Sequence, residues 1–206
     1  MPIYKEIIER NYSIYIWKLT ETMEELFSNL PEFVISRIIK NNKLYKRRIE
    51  KSVQMQLLIH AKIDPLLLSY ASSGKPFIKD SREYVSFSHS GNYATLMVSK
   101  LLCGIDLEKD NPKIERISPK FLNEREKSFL SQPGAINWIW SIKEAVFKYF
   151  GSQVNFKNDI LIEHLSPELL TAQVSYKGYH GIGKFEINLV RFENYYLAYT
   201  KAYHAI

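Results

Sequence analysis

With 206 residues, 46% of them hydrophobic and 14% aromatic, the chain can bury one large domain or two small halves, which excludes disorder as its main state. Only 8 Gly and 8 Pro, with 24% charged residues, exclude collagenous and low-complexity classes. Twenty-eight Lys and Arg against 22 Asp and Glu leave a net charge of +6, which favours an anionic partner without naming it.

A single cysteine, Cys103, excludes an intrachain disulfide and a cysteine-built zinc site. No signal-peptide pattern opens the sequence, and no apolar run approaches the ~20 residues of a membrane-spanning helix. The expectation is a protein of the reducing cytoplasm with no membrane partner.

The alternation of Tyr12, Ile14 and Ile16 predicts a first strand over residues 12–18. Thr22 followed by Glu25 is a capping-box spacing that predicts a short helix through Phe27. Residues 43–61 are predicted helical, with Leu44, Ile49, Val53, Leu57 and Leu58 as the apolar stripe and a basic opposite face. After a break at Ser72, Ser73 and Gly74, residues 84–87, 94–99 and 103–107 are predicted as three strands of one antiparallel meander. Asn123 with Glu126 predicts a capped helix to Leu130, and Pro133-Gly134 separates it from a second helix ending at Gly151. Residues 172–176, 185–190 and 195–200 return to strands. Helix plus three strands thus occurs in each half, an order that fits a pseudo-duplicated α+β architecture without an internal sequence repeat.

Two segments concentrate the chemistry. Gly104-Ile105-Asp106-Leu107-Glu108 puts two carboxylates at i and i+2 on one face of a strand, a geometry suited to a hard divalent cation. Its plain alternative is a strand end with Asp106 in a turn and Glu108 solvated or paired with Lys109. The helix 135–150 is apolar nearly all round, yet carries Trp140, Glu144 and Lys148 at four-residue steps. A Glu144 to Lys148 surface pair is the plain alternative here, worth ~0.2–0.5 kcal/mol. Taken together, three carboxylates favour a magnesium site.

Gly74-Lys75-Pro76 and Phe87-Ser88-His89-Ser90 add phosphate donors: the Lys75 ammonium, the His89 imidazole and the serine hydroxyls. Each alone reads equally as a turn or a surface residue. The basic cluster Lys43, Lys46, Arg47, Arg48 and Lys51 reads as a solvated helix face. No zinc-finger, RNP or helix-turn-helix signature accompanies it, so nucleic acid is not an expected partner. His60, His164, His180 and His204 show no metal-ligand spacing.

The order Gly74-Lys75-Pro76, Phe87-Ser88-His89-Ser90, Gly104-Ile105-Asp106-Leu107-Glu108, then Trp140-Ser141-Ile142-Lys143-Glu144-Ala145-Val146-Phe147-Lys148 resembles the 4'-phosphopantetheinyl transferases of the surfactin-synthetase-activating type. The resemblance spans residues 48–151, about half the chain. It implies two similar α+β halves in one monomer, divided as residues 1–100 and 101–206, with the active site in a cleft between them. It implies transfer of the phosphopantetheine arm of coenzyme A to a serine of an apo-acyl or apo-peptidyl carrier protein, releasing adenosine 3',5'-bisphosphate. Magnesium would then be held by Asp106, Glu108 and Glu144. Glu144 would be the base, Lys148 and His89 would stabilise phosphate charge, and Arg48, Gly74, Lys75, Pro76 and Ser88 would contact coenzyme A. The chain departs from the pattern after Leu30-Pro31, where Phe33, Val34 and Ile35 stand in place of the basic residues that often grip the 3'-phosphate, the charges coming later at Arg37, Lys40 and Lys43. It departs again after Gly74-Lys75-Pro76, where Lys79 or Asp80 replaces a second proline. The alternatives are a non-catalytic carrier-binding module of the same fold and a basic nucleic-acid-binding domain. Three idle acids would repel one another, which disfavours the first, and missing aromatic-basic interleaving disfavours the second.

Overall fold

A computed structural model describes residues 3–166, 168 and 170–206. The fold is α+β, and the chain divides into two compact units, Met1–Leu102 and Cys103–Ile206. Among the described residues no helix is long and apolar enough to cross a membrane.

The first unit is built on an antiparallel sheet of β1 (Ile3–Ile8), β2 (Tyr12–Lys18), β5 (Tyr84–Ser90) and β6 (Tyr93–Ser99), in the order β1-β2-β6-β5. Strand β2 has the predicted bounds, with Ile14 and Ile16 fully buried. The Thr22 capping box is formed in full and starts α1 (Met23–Ser28). Two helices follow, α2 (Glu32–Asn41) and α3 (Tyr45–His60), then the hairpin β3 (Leu68–Tyr70) and β4 (Pro76–Ile78). Helix α3 lies on β6 and β2, and Trp17, Leu26, Ile38, Leu57, Leu58 and Leu96 belong to the core.

In the second unit the antiparallel order is β7-β11-β10-β9-β8, formed by β7 (Ile105–Lys109), β8 (Ile160–Ser166), β9 (Thr171–Gly178), β10 (Gly181–Phe192) and β11 (Tyr195–Ala205). Short α4 (Lys113–Ile117) and a 3-10 segment, Glu124–Ser131, precede the long α5 (Ala135–Phe150). Gly151, in the left-handed region at φ 90°, ends α5 as expected of a C-terminal glycine. Helix α5 lies on β7 and β11 and buries Trp138, Ile139, Ile142, Ala145 and Val146.

The two units share a plan. In each, a strand leads through a 16-residue helix to an antiparallel hairpin whose last strand returns beside the first: β2, α3, β5 and β6 in one, β7, α5, β10 and β11 in the other. In each, the long helix packs on that first strand and on the returning one.

Several local expectations are corrected. The three-strand meander is not formed: β5 and β6 pair, but β7 joins β11 in the other sheet. Gly104 continues this pairing, donating its N–H to Thr200 Oγ1 at 3.0 Å and accepting at its carbonyl from Thr200 N at 3.0 Å. The chain starts its structure with β1, earlier than predicted; its mostly exposed edge position leaves no alternation to read. Leu44 is not part of the α3 stripe but its N-cap, 69% exposed. The segment after Asn123 carries the predicted capping box but winds as a 3-10 helix.

Candidate active site

Alternation along β7 places Gly104, Asp106 and Glu108 on the face that meets α5, while Ile105 and Leu107, both fully buried, point the other way. Four-residue spacing on α5 aligns Trp140, Glu144 and Lys148 along one side of the helix. Strand and helix run in opposite senses, so the two rows meet end to end. Trp140 Nε1 donates to Glu108 Oε1 at 3.0 Å, and Lys148 Nζ donates to Asp106 Oδ1 at 2.7 Å. Lys148 thus reaches across to the strand acid, and Glu108 accepts from an indole.

Glu144 lies one turn from each of those helix residues, half-buried. Burial pushes its carboxyl up to about 7, the negative charge of Asp106 adds to the effect, Lys148 opposes it and Glu108 adds a smaller share. The three carboxylates therefore interact electrostatically. Among the described residues no group of three His, Cys, Asp or Glu side chains stands in metal-binding geometry. The donor set itself is three hard oxygen donors with one ammonium beside them, and it suits an oxygen-seeking divalent cation that finishes its shell with phosphate and water.

One residue before Glu144, Lys143 is fully buried on α5. Its Nζ donates to the carbonyls of Phe121 at 2.8 Å, Phe156 at 2.8 Å and Ile160 at 3.0 Å, and pairs with Glu126 Oε2 at 2.8 Å. Glu126, also fully buried, accepts from the backbone of Asn123 at 2.8 Å and of Ile162 at 2.9 Å. Burial lowers the Lys143 pKa, and the Glu126 charge opposes that shift. The sequence reading passed over this pair, although a lysine on an otherwise apolar helix is the kind of residue that must find acceptors.

In the first unit, Ser88 and His89 of β5 line a pocket of about 90 Å³ together with Arg47, Glu50 and Lys51 of α3. Glu50, unnoticed in the sequence, joins them: its Oε1 lies 3.0 Å from His89 Nε2 and its Oε2 accepts from Arg47 at 2.8 Å. Arg48 points elsewhere, donating from Nε to the Asn42 carbonyl at 2.8 Å. Gly74, Lys75 and Pro76 lie at the turn between β3 and β4, closed by Ala71 N to Lys75 O at 2.9 Å and permitted by φ 84° at Gly74. His89 and Ser88 are thus gathered with basic side chains, whereas Arg48 and Lys75 occupy separate places.

Residues 102–200 match the family model of the 4'-phosphopantetheinyl transferase superfamily. The match holds β7, α5 and all three carboxylates, and leaves all of the first unit but Leu102 outside it. It supports phosphopantetheine transfer as the general class of chemistry. No curated protein matches the chain.

Proposed function

We propose that the chain transfers the 4'-phosphopantetheine arm of coenzyme A to a serine hydroxyl of an apo-acyl or apo-peptidyl carrier protein and acts as a monomer. The observation that carries this reading is the row of Asp106, Glu108, Glu144 and Lys148 between β7 and α5, with Glu144 held at a pKa of about 7.

A carboxyl poised near neutrality suits a general base, because it is partly ionised and still basic enough to accept a hydroxyl proton. Glu144 would take the proton from the serine Oγ as that oxygen attacks the β-phosphorus of coenzyme A. The new bond joins Oγ to the phosphopantetheine phosphate, and the broken P–O bond releases adenosine 3',5'-bisphosphate. Lys148 would lend positive charge to the phosphates, and His89 is assigned the same role. Asp106, Glu108 and Glu144 would hold magnesium, which supplies Lewis-acid neutralisation of pyrophosphate charge. Arg48, Gly74, Lys75, Pro76 and Ser88 are assigned to coenzyme A. The +6 net charge favours an acidic carrier surface.

Intact-mass spectrometry tests the reading. Incubation with coenzyme A, magnesium and a panel of apo-carriers from fatty-acid, polyketide, peptide-synthetase and lysine-biosynthesis systems is expected to add one phosphopantetheine to at least one carrier, and none to its serine-to-alanine form. A carrier that binds but gains no mass would make the non-catalytic binding module the better account.

A further inference from the structure

Lys143 neighbours the proposed base in sequence, yet its ammonium points away from the acidic row into a fully buried nest of oxygens. Two of its acceptors are the carbonyls of Phe121 and Phe156, both at 2.8 Å. The rings of those same residues flank Trp140: Phe121 meets the indole edge-on with centroids 5.0 Å apart, and Phe156 lies tilted at 5.6 Å. Trp140 in turn donates its indole N–H to Glu108 at 3.0 Å. A continuous set of contacts therefore runs from Lys143 through two backbone carbonyls and two rings to one carboxylate of the row.

We infer that Lys143, anchored by Glu126, is a positioning residue that sets the orientation of Trp140 and, through its indole N–H, of Glu108. The physics is that of a buried cation. An ammonium removed from water must have its donors satisfied, so the segments that supply the acceptors are held where the ammonium requires them. Phe121 and Phe156 come from either side of α5 in sequence, and the Lys143 ammonium ties both of their backbones to the helix. A carboxylate fixed by a neighbouring hydrogen bond presents its other oxygen in one direction, and partners of that kind commonly change metal affinity 10- to 100-fold when removed.

Its consequence for catalysis rests on the transfer reading above. Its structural content does not, and the test separates the two. In protein labelled with nitrogen-15, the three tryptophans Trp17, Trp138 and Trp140 give three indole N–H resonances, and Trp140→Phe identifies the one that reports the bond to Glu108. In Lys143→Met the Trp140 resonance is expected to move upfield, as a carboxylate-bound N–H does on losing its acceptor, while those of Trp138 and Trp17 stay in place. Glu126→Gln, which keeps the volume and weakens the anchor, is expected to move it in the same direction by less, and is the reading to take if Lys143→Met does not fold. A Trp140 resonance unmoved in the folded variants overturns the inference, as does a change that displaces Trp138 equally, since that marks general loosening. Where transfer is observed, the magnesium concentration for half-maximal rate in the variant is expected to rise roughly 10-fold or more with the KM for coenzyme A unchanged; a change in that KM alone contradicts it. The indole spectrum needs neither coenzyme A nor carrier, so failure of transfer and failure of positioning are told apart.

Discussion

Gly104 of β7 lies against the backbone of α5 so closely that a Cβ there would collide with the carbonyl oxygen of Ala145 and stand 2.7 Å from the Tyr149 amide nitrogen. Strand and helix can therefore approach only because residue 104 has no side chain, and that approach lets Lys148 reach Asp106 and Trp140 reach Glu108. Gly104→Ala is expected to cost about 2–3 kcal/mol, the scale of overpacking against atoms that cannot yield. Urea unfolding measures it. Gly74→Ala, with open space around it, is expected to cost only the ~1–2 kcal/mol of left-handed strain at φ 84°, so equal losses in the two variants would contradict the packing argument.

The raised pKa of Glu144 makes stability depend on pH. A carboxyl at about 7 in the folded state and 4.5 without its surroundings binds an extra proton on folding between those values. Its contribution is therefore fully present below about 4.5 and is lost as pH rises through about 7. In chelator, Glu144→Gln is expected to be no more stable than the parent protein near pH 4 and more stable near pH 8, by on the order of 2–3 kcal/mol. Parallel melting curves for the two proteins across that range would contradict the shift.

Removal of single carboxylates is expected to separate their roles. Glu144→Ala and Asp106→Asn should lower transfer by at least ~100-fold, since the first removes the proposed base and the second a proposed ligand that is itself paired with Lys148. Glu108→Gln, which keeps an acceptor for the Trp140 indole, should show its loss chiefly as a higher magnesium requirement. The measurement is initial rate against magnesium concentration for each variant; transfer in Glu144→Ala equal to the parent would remove that residue from the chemistry.

Lys75→Ala and Arg48→Ala test the assignments in the first unit. A charge-assisted contact to phosphate is worth about 1.5–3 kcal/mol, so each loss is expected to weaken coenzyme A binding by roughly 10- to 100-fold in calorimetric titration. Arg48 donates to the Asn42 carbonyl, so its variant is also expected to melt lower. Unchanged affinity in the double variant would exclude both residues from the site.

Strong local signals made part of this molecule legible from sequence. The alternation in β2, the Thr22 and Asn123 capping boxes and the closing glycine of α5 each encode their element within a few residues. The site was legible to the extent that periodicity puts Asp106 beside Glu108 and Glu144 beside Lys148. Partner choice was not. The partner of β7 is β11, far along the chain, and Lys148 donates to Asp106 on another element. Helix α2 was missed because Pro31 starts it without a side-chain cap and only Val34 and Ile38 are buried. The Lys143–Glu126 pair was missed because its acceptors are backbone carbonyls, which no residue identity reveals.

The proposed group transfer is placed at the row of acids between β7 and α5. The most direct measurement is a balance of products: holo-carrier by intact mass and adenosine 3',5'-bisphosphate by chromatography, in one reaction, with magnesium and with excess chelator. One nucleotide is expected to be released for each carrier modified when magnesium is present, and neither product in chelator. Equal yields in chelator, or nucleotide release without carrier modification, would contradict it.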